Sequence, residues 1–277
     1  VLIKNYLPTM NRSEIFLVMV SGMGTIAGSV MGTYIGMLGG TDPAAKVLFA
    51  THLLSASVMA VPGSIVLAKM LCPQTEEATD HVAISGKEKE NSNILDAISS
   101  GTVTGVKLMT NIAAMLLVFI SLVALANYIT EGVIGRYTGL NDWIVKITDG
   151  KAQGLTFQFI LGVITSPFMW LIGVPSQDIM LVGSLLGQKT ILNEFVAYFQ
   201  LQQWKDAGLF MYEKSILMST YILCGFANIS SIGILLGGLG VLAPEKRGLI
   251  SRIGLPAMIG GALVSVLSAT IIGMILG

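Results

Sequence analysis

The 277-residue chain is 53% hydrophobic and 12% charged, with 16 basic and 16 acidic side chains in balance. Soluble globular chains carry about 25% charged residues, so the composition does not suit a surface surrounded by water. The zero net charge leaves no basic surplus for nucleic acid and no acidic tail for a basic partner.

A mean hydropathy of +0.76, with 32 glycines and 15 methionines, fits a chain dissolved in lipid. It opens Val1-Leu2-Ile3-Lys4, with no initiator Met and no signal-peptide pattern, as expected of a piece cut from something longer. The hydrocarbon core of a bilayer is about 30 Å thick, so a crossing helix needs about 20 apolar residues. Runs of that order recur. Residues 15–41 are the first, opened by Asn11-Arg12-Ser13-Glu14, which offers a helix start. Residues 47–68 are the second, interrupted by His52 and Pro62 and closed by Lys69. Residues 73–100 form the long polar stretch, where Glu76, Glu77, Asp80, His81, Lys87, Glu88, Lys89 and Glu90 read as a solvated connector. From Asn91 onward, Ile94, Leu95 and Ile98 recur at helical spacing, which predicts an amphipathic helix at the interface, leading into the third span.

That third span, residues 108–130, is almost wholly aliphatic over 113–125. Residues 152–177 are a poor simple crossing because of Pro167, Pro175 and several polar residues. Residues 215–244 and 253–277 are the fifth and sixth runs. Helices are expected throughout, because backbone groups in lipid must be satisfied within their own segment. The basic loop at 245–252 faces the cytoplasm by its Lys and Arg content, which puts the C-terminus outside. Cys72 and Cys224 lack metal-ligand spacing and read as buried inert thiols. Trp143, Trp170 and Trp204 suit interfacial anchoring or substrate contact equally. His52 reads as a packed, hydrogen-bonded residue, with a proton relay as the alternative.

Two runs are not smooth. Residues 21–40, SGMGTIAGSVMGTYIGMLGG, and 225–240, GFANISSIGILLGGLG, gather Gly, Ser, Thr and Asn where a spanning helix would be mid-membrane. Tight helix packing is one use of such residues. Broken helices in corresponding positions of two halves, bordering a transporter's binding site, are the other. Between the runs, residues 179–186 and 195–201 are apolar arms too short to cross, which predicts a re-entrant hairpin with Asn193 and Glu194 near its tip. A carboxylate at membrane depth is costly and marks a functional site by default. Glu194 could accept hydrogen bonds from sugar hydroxyls, with Asn193 donating and accepting, or it could simply pair with Lys189. Asp178 is placed to cap the first hairpin helix.

The string Gly187-Gln188-Lys189-Thr190-Ile191-Leu192-Asn193-Glu194-Phe195-Val196-Ala197-Tyr198 resembles the signature of the concentrative nucleoside transporter family. Cys224-Gly225-Phe226-Ala227-Asn228-Ile229-Ser230-Ser231, then Gly237-Gly238-Leu239-Gly240 and Ala243-Pro244-Glu245, resemble a second block. Gly24-Thr25-Ile26-Ala27-Gly28-Ser29-Val30 is similar to the family's fourth transmembrane helix. Gly173-Val174-Pro175 with Gln177-Asp178, leading into Gly183-Ser184-Leu185-Leu186-Gly187, completes the ordered set.

The resemblance implies an all-α polytopic membrane protein with interrupted helices and a re-entrant hairpin, of the inverted-repeat transporter class. It implies that Glu194, Asn228 and Ser231 hold a ribose, that Phe226 lines the pocket and that Val30 packs on the nucleobase. A sodium ion would take the Thr25 hydroxyl and the Ile26 carbonyl, a partial site. The implied activity is nucleoside import driven by sodium, with no organic cofactor, in a homotrimer within a bacterial inner or plasma membrane. It also implies that a first hairpin and upstream spans, which would read the base, precede Val1. The division expected is 1–10 (end of that hairpin), 11–72 (broken helix and following span), 73–100 (connector and interfacial helix), 101–135 (scaffold span), 136–205 (connector and hairpin) and 206–277 (broken helix and final span). Proton coupling through Glu194 or His52 is the rival driver. A channel or an intramembrane hydrolase is the rival class, although no nucleophile–base pair can be named for an enzyme.

Overall fold

The computed structural model describes residues 6–76, 93–148, 150 and 152–277. Most of the expected connector, with His81, lies outside them, as do residues 1–5 of the segment expected to close a first hairpin. The chain forms two units: Val1–Asp80 with Gln158–Gly277, and His81–Phe157.

In the first unit, α1 (Arg12–Gly24) opens on a capping box: Glu14 donates its amide to the Asn11 side chain at 2.9 Å, and Glu14 accepts the Asn11 amide at 2.8 Å. The chain breaks at residues 25–27 and resumes as α2 (Gly28–Gly39), so the first apolar run is an interrupted helix. Gly40, at φ +55°, ends α2, and Asp42 with Pro43 starts the 29-residue α3 (Pro43–Leu71).

The second unit holds the 34-residue α4 (Ile94–Asn127), a π-helical segment Tyr128–Gly135, the single turn α5 (Arg136–Thr138) and α6 (Leu140–Ile147). Ile94, Leu95 and Ile98 lie on the first turns of the same helix that carries the third run, because no proline intervenes between 94 and 127. Asn141 fixes the π segment by donating to the Glu131 carbonyl at 2.9 Å and accepting the Leu155 amide at 3.0 Å.

The chain continues with α7 (Phe157–Leu171), α8 (Ile179–Ile191), α9 (Glu194–Asp206), α10 (Glu213–Leu223), α11 (Ile229–Leu242), a 3-10 turn Pro244–Lys246 and α12 (Arg247–Ile275). Helix α7 has 15 residues and is about 22 Å long, short of a bilayer core. Helices α8 and α9, 13 residues each, form the expected hairpin, with arms longer than the sequence suggested but still about 20 Å. The expected basic loop shrinks to the 3-10 turn, since Arg247 and Arg252 are already helical in α12.

Asp178 stands at the start of α8 but does not cap it. Its buried carboxylate accepts the Met211 and Tyr212 amides at 3.0 and 3.1 Å, ahead of α10. Cys224 is buried as expected, whereas Cys72 is only half-buried at the exposed end of α3. His52 meets the Tyr221 hydroxyl at 3.1 Å, matching the packed reading. Trp143 and Trp170 are exposed, and Trp204 packs on the core.

The broken helix and its following span occur twice. Gly24, Ser29, Gly32, Gly36, Leu38, Gly39 and Pro43 recur at one constant offset as Gly225, Ser230, Gly233, Gly237, Leu239, Gly240 and Pro244. Helices α1, α2 and α3 are thereby matched by α10, α11 and α12. Among the described residues, Arg12–Gly39, Pro43–Leu71 and Pro244–Ile275 are long and apolar enough to cross a membrane.

Candidate functional site

The two breaks meet main chain to main chain. Gly225 has φ +122°, and a Cβ built there would lie 2.8 Å from the Gly24 carbonyl oxygen and 2.9 Å from that of Met23. Only glycine adopts this backbone without strain and lets the chains come so close. Helix α12 covers both breaks: Gly261 lies against Met23 and Ala227, and Gly24 against Val264.

Two helix starts bring polar groups to this crossing. Asn193 caps α9 by accepting the Val196 amide at 2.9 Å, which leaves Glu194 as the first helical residue, with its carboxylate at the positive end of the helix dipole. Asn228 caps α11 through Oδ1, which accepts the Ser231 amide at 2.9 Å and the hydroxyls of Ser230 and Ser231 at 2.6 and 3.0 Å. The other end of the same amide, Nδ2, donates to Glu194 Oε2 at 2.9 Å. The predicted residues Glu194, Asn228 and Ser231 therefore form one connected, buried set, although 34 residues separate the first two.

The alternative pairing of Glu194 with Lys189 is not found. Lys189 Nζ instead donates to the Ile222 carbonyl at 2.8 Å and to the Ser265 hydroxyl at 3.0 Å. A residue absent from the sequence reading takes part: Tyr34 of α2 lies with its hydroxyl 3.5 Å from Glu194 Oε1. Its ring stacks on Tyr198 at 4.0 Å between centroids, and Phe195 lies at 6.2 Å. The signal available was its position one helical turn beyond Val30, on the same face of α2.

Val30 and Phe226 are half-buried and pack against the same apolar core. Thr25 sits in the first break and donates its hydroxyl to the Ser21 carbonyl at 2.9 Å, while Ile26 is buried. Among the described residues no cluster of His, Cys, Asp and Glu could hold a metal ion. Any ion here would instead meet hydroxyl and carbonyl oxygens, the donor set that unwound transporter helices offer to sodium. A carboxylate, an amide and serine hydroxyls beside apolar walls can bind a ligand that has hydroxyls at one end and a flat apolar group at the other.

The family profile described as "Na+ dependent nucleoside transporter C-terminus" matches residues 52–273. The rat protein named sodium/nucleoside cotransporter 1 is 38% identical over 288 residues, covering 99% of this chain and 41% of its own length. The Helicobacter pylori protein named nucleoside permease NupC is 37% identical over 277 residues, covering 99% of this chain and 60% of its own. A solved structure of CNTnw in an inward-facing substrate-bound state superimposes with a TM-score of 0.81 at 34% identity, over 100% of this chain and 60% of that one. The chain thus spans about two fifths to three fifths of the length of these relatives.

Proposed function

Because the chain belongs to the concentrative nucleoside transporter family, we propose that it carries the sugar-binding part of a secondary-active nucleoside importer driven by a sodium gradient. The family consists of transporters rather than enzymes, and its fold is that of an all-α, multi-pass membrane protein built on an inverted repeat. The observation that carries the proposal is the bond from Asn228 Nδ2 to Glu194 Oε2, which joins a helix start on the hairpin to one on the second broken helix. A ribose displaces that internal bond by offering adjacent hydroxyls, which donate to the carboxylate and accept from the amide. Ser231 adds a further hydroxyl, and Val30 and Phe226 form the walls for the base.

Sodium takes the Thr25 hydroxyl and the Ile26 carbonyl at the first break, and rigid-body movement around the loaded site exposes it alternately to the two sides. The working unit is a homotrimer, with the third apolar run in its scaffold. Proton coupling is the second reading, favoured by the burial of Glu194 among neutral partners.

The test is uridine uptake by cells expressing the full-length transporter. Glu194→Gln keeps the shape but removes the charge, and uptake falls about 10- to 100-fold, since a hydrogen bond to a charged group contributes about 1.5–3 kcal/mol. Near-normal uptake by a well-expressed variant refutes the site. Replacing sodium by choline at several pH values separates the drivers: sodium coupling loses uptake at every pH, and proton coupling keeps it at acidic pH.

A further inference from the structure

Lys189 has no exposed surface, although it carries a charge into the core of a lipid-dissolved unit. Its ammonium is held by neutral oxygens, the Ile222 carbonyl at 2.8 Å and the Ser265 hydroxyl at 3.0 Å. Glu194, the carboxylate on the same hairpin, turns to Asn228 and Tyr34 instead.

The placing of these oxygens follows from the break. Helix α10 stops at Leu223, so the carbonyls of its last turn have no amides following in the helix to accept. Tyr198 supplies a donor to the Thr220 carbonyl at 2.8 Å, the Cys224 amide reaches Tyr221, and Lys189 takes Ile222. Ser265 bridges, donating to the Cys224 carbonyl at 2.6 Å while accepting from Lys189. Carbonyls at the negative end of a half-helix, joined by a hydroxyl, are the ligands a transporter presents to a small monovalent cation.

The repeat sharpens this. At its offset Ser265 corresponds to Ser64 and Ile222 to Ser21. Around the first break these places are served by hydroxyls: Thr25 donates to the Ser21 carbonyl and Ser64 to that of Ala60. The second break has the same backbone plan with an ammonium added from the hairpin.

We propose that Lys189 is a tethered cation, whose ammonium permanently fills a monovalent-cation site made by the end of α10 and Ser265. The second break is thereby held together without a diffusible ion, and the hairpin is locked to α10 and α12. The inference rests on reading the chain as part of an ion-coupled transporter, but its test uses no nucleoside and does not depend on the substrate.

The experiment is thermal unfolding of the purified full-length protein in choline, ammonium, sodium or potassium chloride at equal ionic strength. In choline, Lys189→Ala melts about 2–12 °C below the wild type, as expected for a buried carbonyl left without its donor. In at least one small-cation salt it recovers about half of that loss, beyond any gain the wild type shows in the same salt. An equal loss in every salt overturns the proposal. Lys189→Gln, which keeps an N–H donor for Ile222 without the charge, decides the matter if the alanine variant does not fold. It melts below the wild type in choline, and a glutamine variant that melts with the wild type shows the charge to be dispensable and overturns the proposal. Failure here would leave the Glu194 uptake test untouched, and the converse holds.

Discussion

Replacing Gly225 by Ala tests the crossing of the two breaks. The φ of +122° puts an L-residue in a region where strain costs about 1–3 kcal/mol. The added methyl would lie 2.8 and 2.9 Å from the carbonyl oxygens of Gly24 and Met23, main-chain atoms that cannot swing aside. Relief requires the last turn of α1 to move, at a further cost of about 1–3 kcal/mol by analogy with overpacked cores. The sum, about 2–6 kcal/mol, corresponds to a fall in Tm on the order of 10 °C. The contrast is Gly233→Ala within α11, where a Cβ meets nothing within 4 Å and helix propensity gains about 1 kcal/mol. Thermal unfolding of the full-length protein in detergent reads both variants, and uptake reads the consequence, since the strained crossing carries Thr25 on one side and Asn228 on the other. A Gly225→Ala protein melting within about 2 °C of the wild type refutes the reasoning, as does equal destabilisation by Gly233→Ala.

Asn228→Ser keeps a good helix cap but loses the donor to Glu194, so the melting temperature changes by only a few degrees while nucleoside affinity, measured by calorimetry, drops about 10-fold. Tyr34→Phe removes a contact already long at 3.5 Å and keeps the stack on Tyr198, so affinity changes by less than about threefold in the same assay. Asp178→Ala strips two amides of their buried acceptor and lowers stability by about 2–4 kcal/mol, with the affinity of the folded fraction unchanged.

The breaks were legible because Gly, Ser and Asn in an apolar window have few uses, and both fall where those residues cluster. The hairpin was legible from the brevity of its arms around Asn193 and Glu194. The constant-offset repeat was also present in the letters, at Gly24 and Gly225 or Pro43 and Pro244, but it becomes evident only once the helices are aligned. Other features were hidden for physical reasons. Tyr34 looks like any aromatic residue in an apolar helix, and its partner Glu194 lies 160 residues away. The partners of Lys189 are a main-chain carbonyl and a serine, 33 and 76 residues distant, and a carbonyl leaves no trace in a sequence. Asp178 satisfied the local rule for a cap, yet the two amides before α10 claimed it. The continuity of α4 was masked by a change from polar to aliphatic composition, which alters a helix's surroundings without interrupting its hydrogen bonds.

Where Gly225 passes Met23 and Gly24, the two halves touch through atoms that every amino acid shares. A substitution at Phe226 or Asn228 alters what the crossing presents without altering how far apart its two strands of backbone stand. What the crossing presents and how closely its backbones approach are therefore separable: neighbouring side chains can change while the crossing stays fixed, as long as position 225 lacks a side chain.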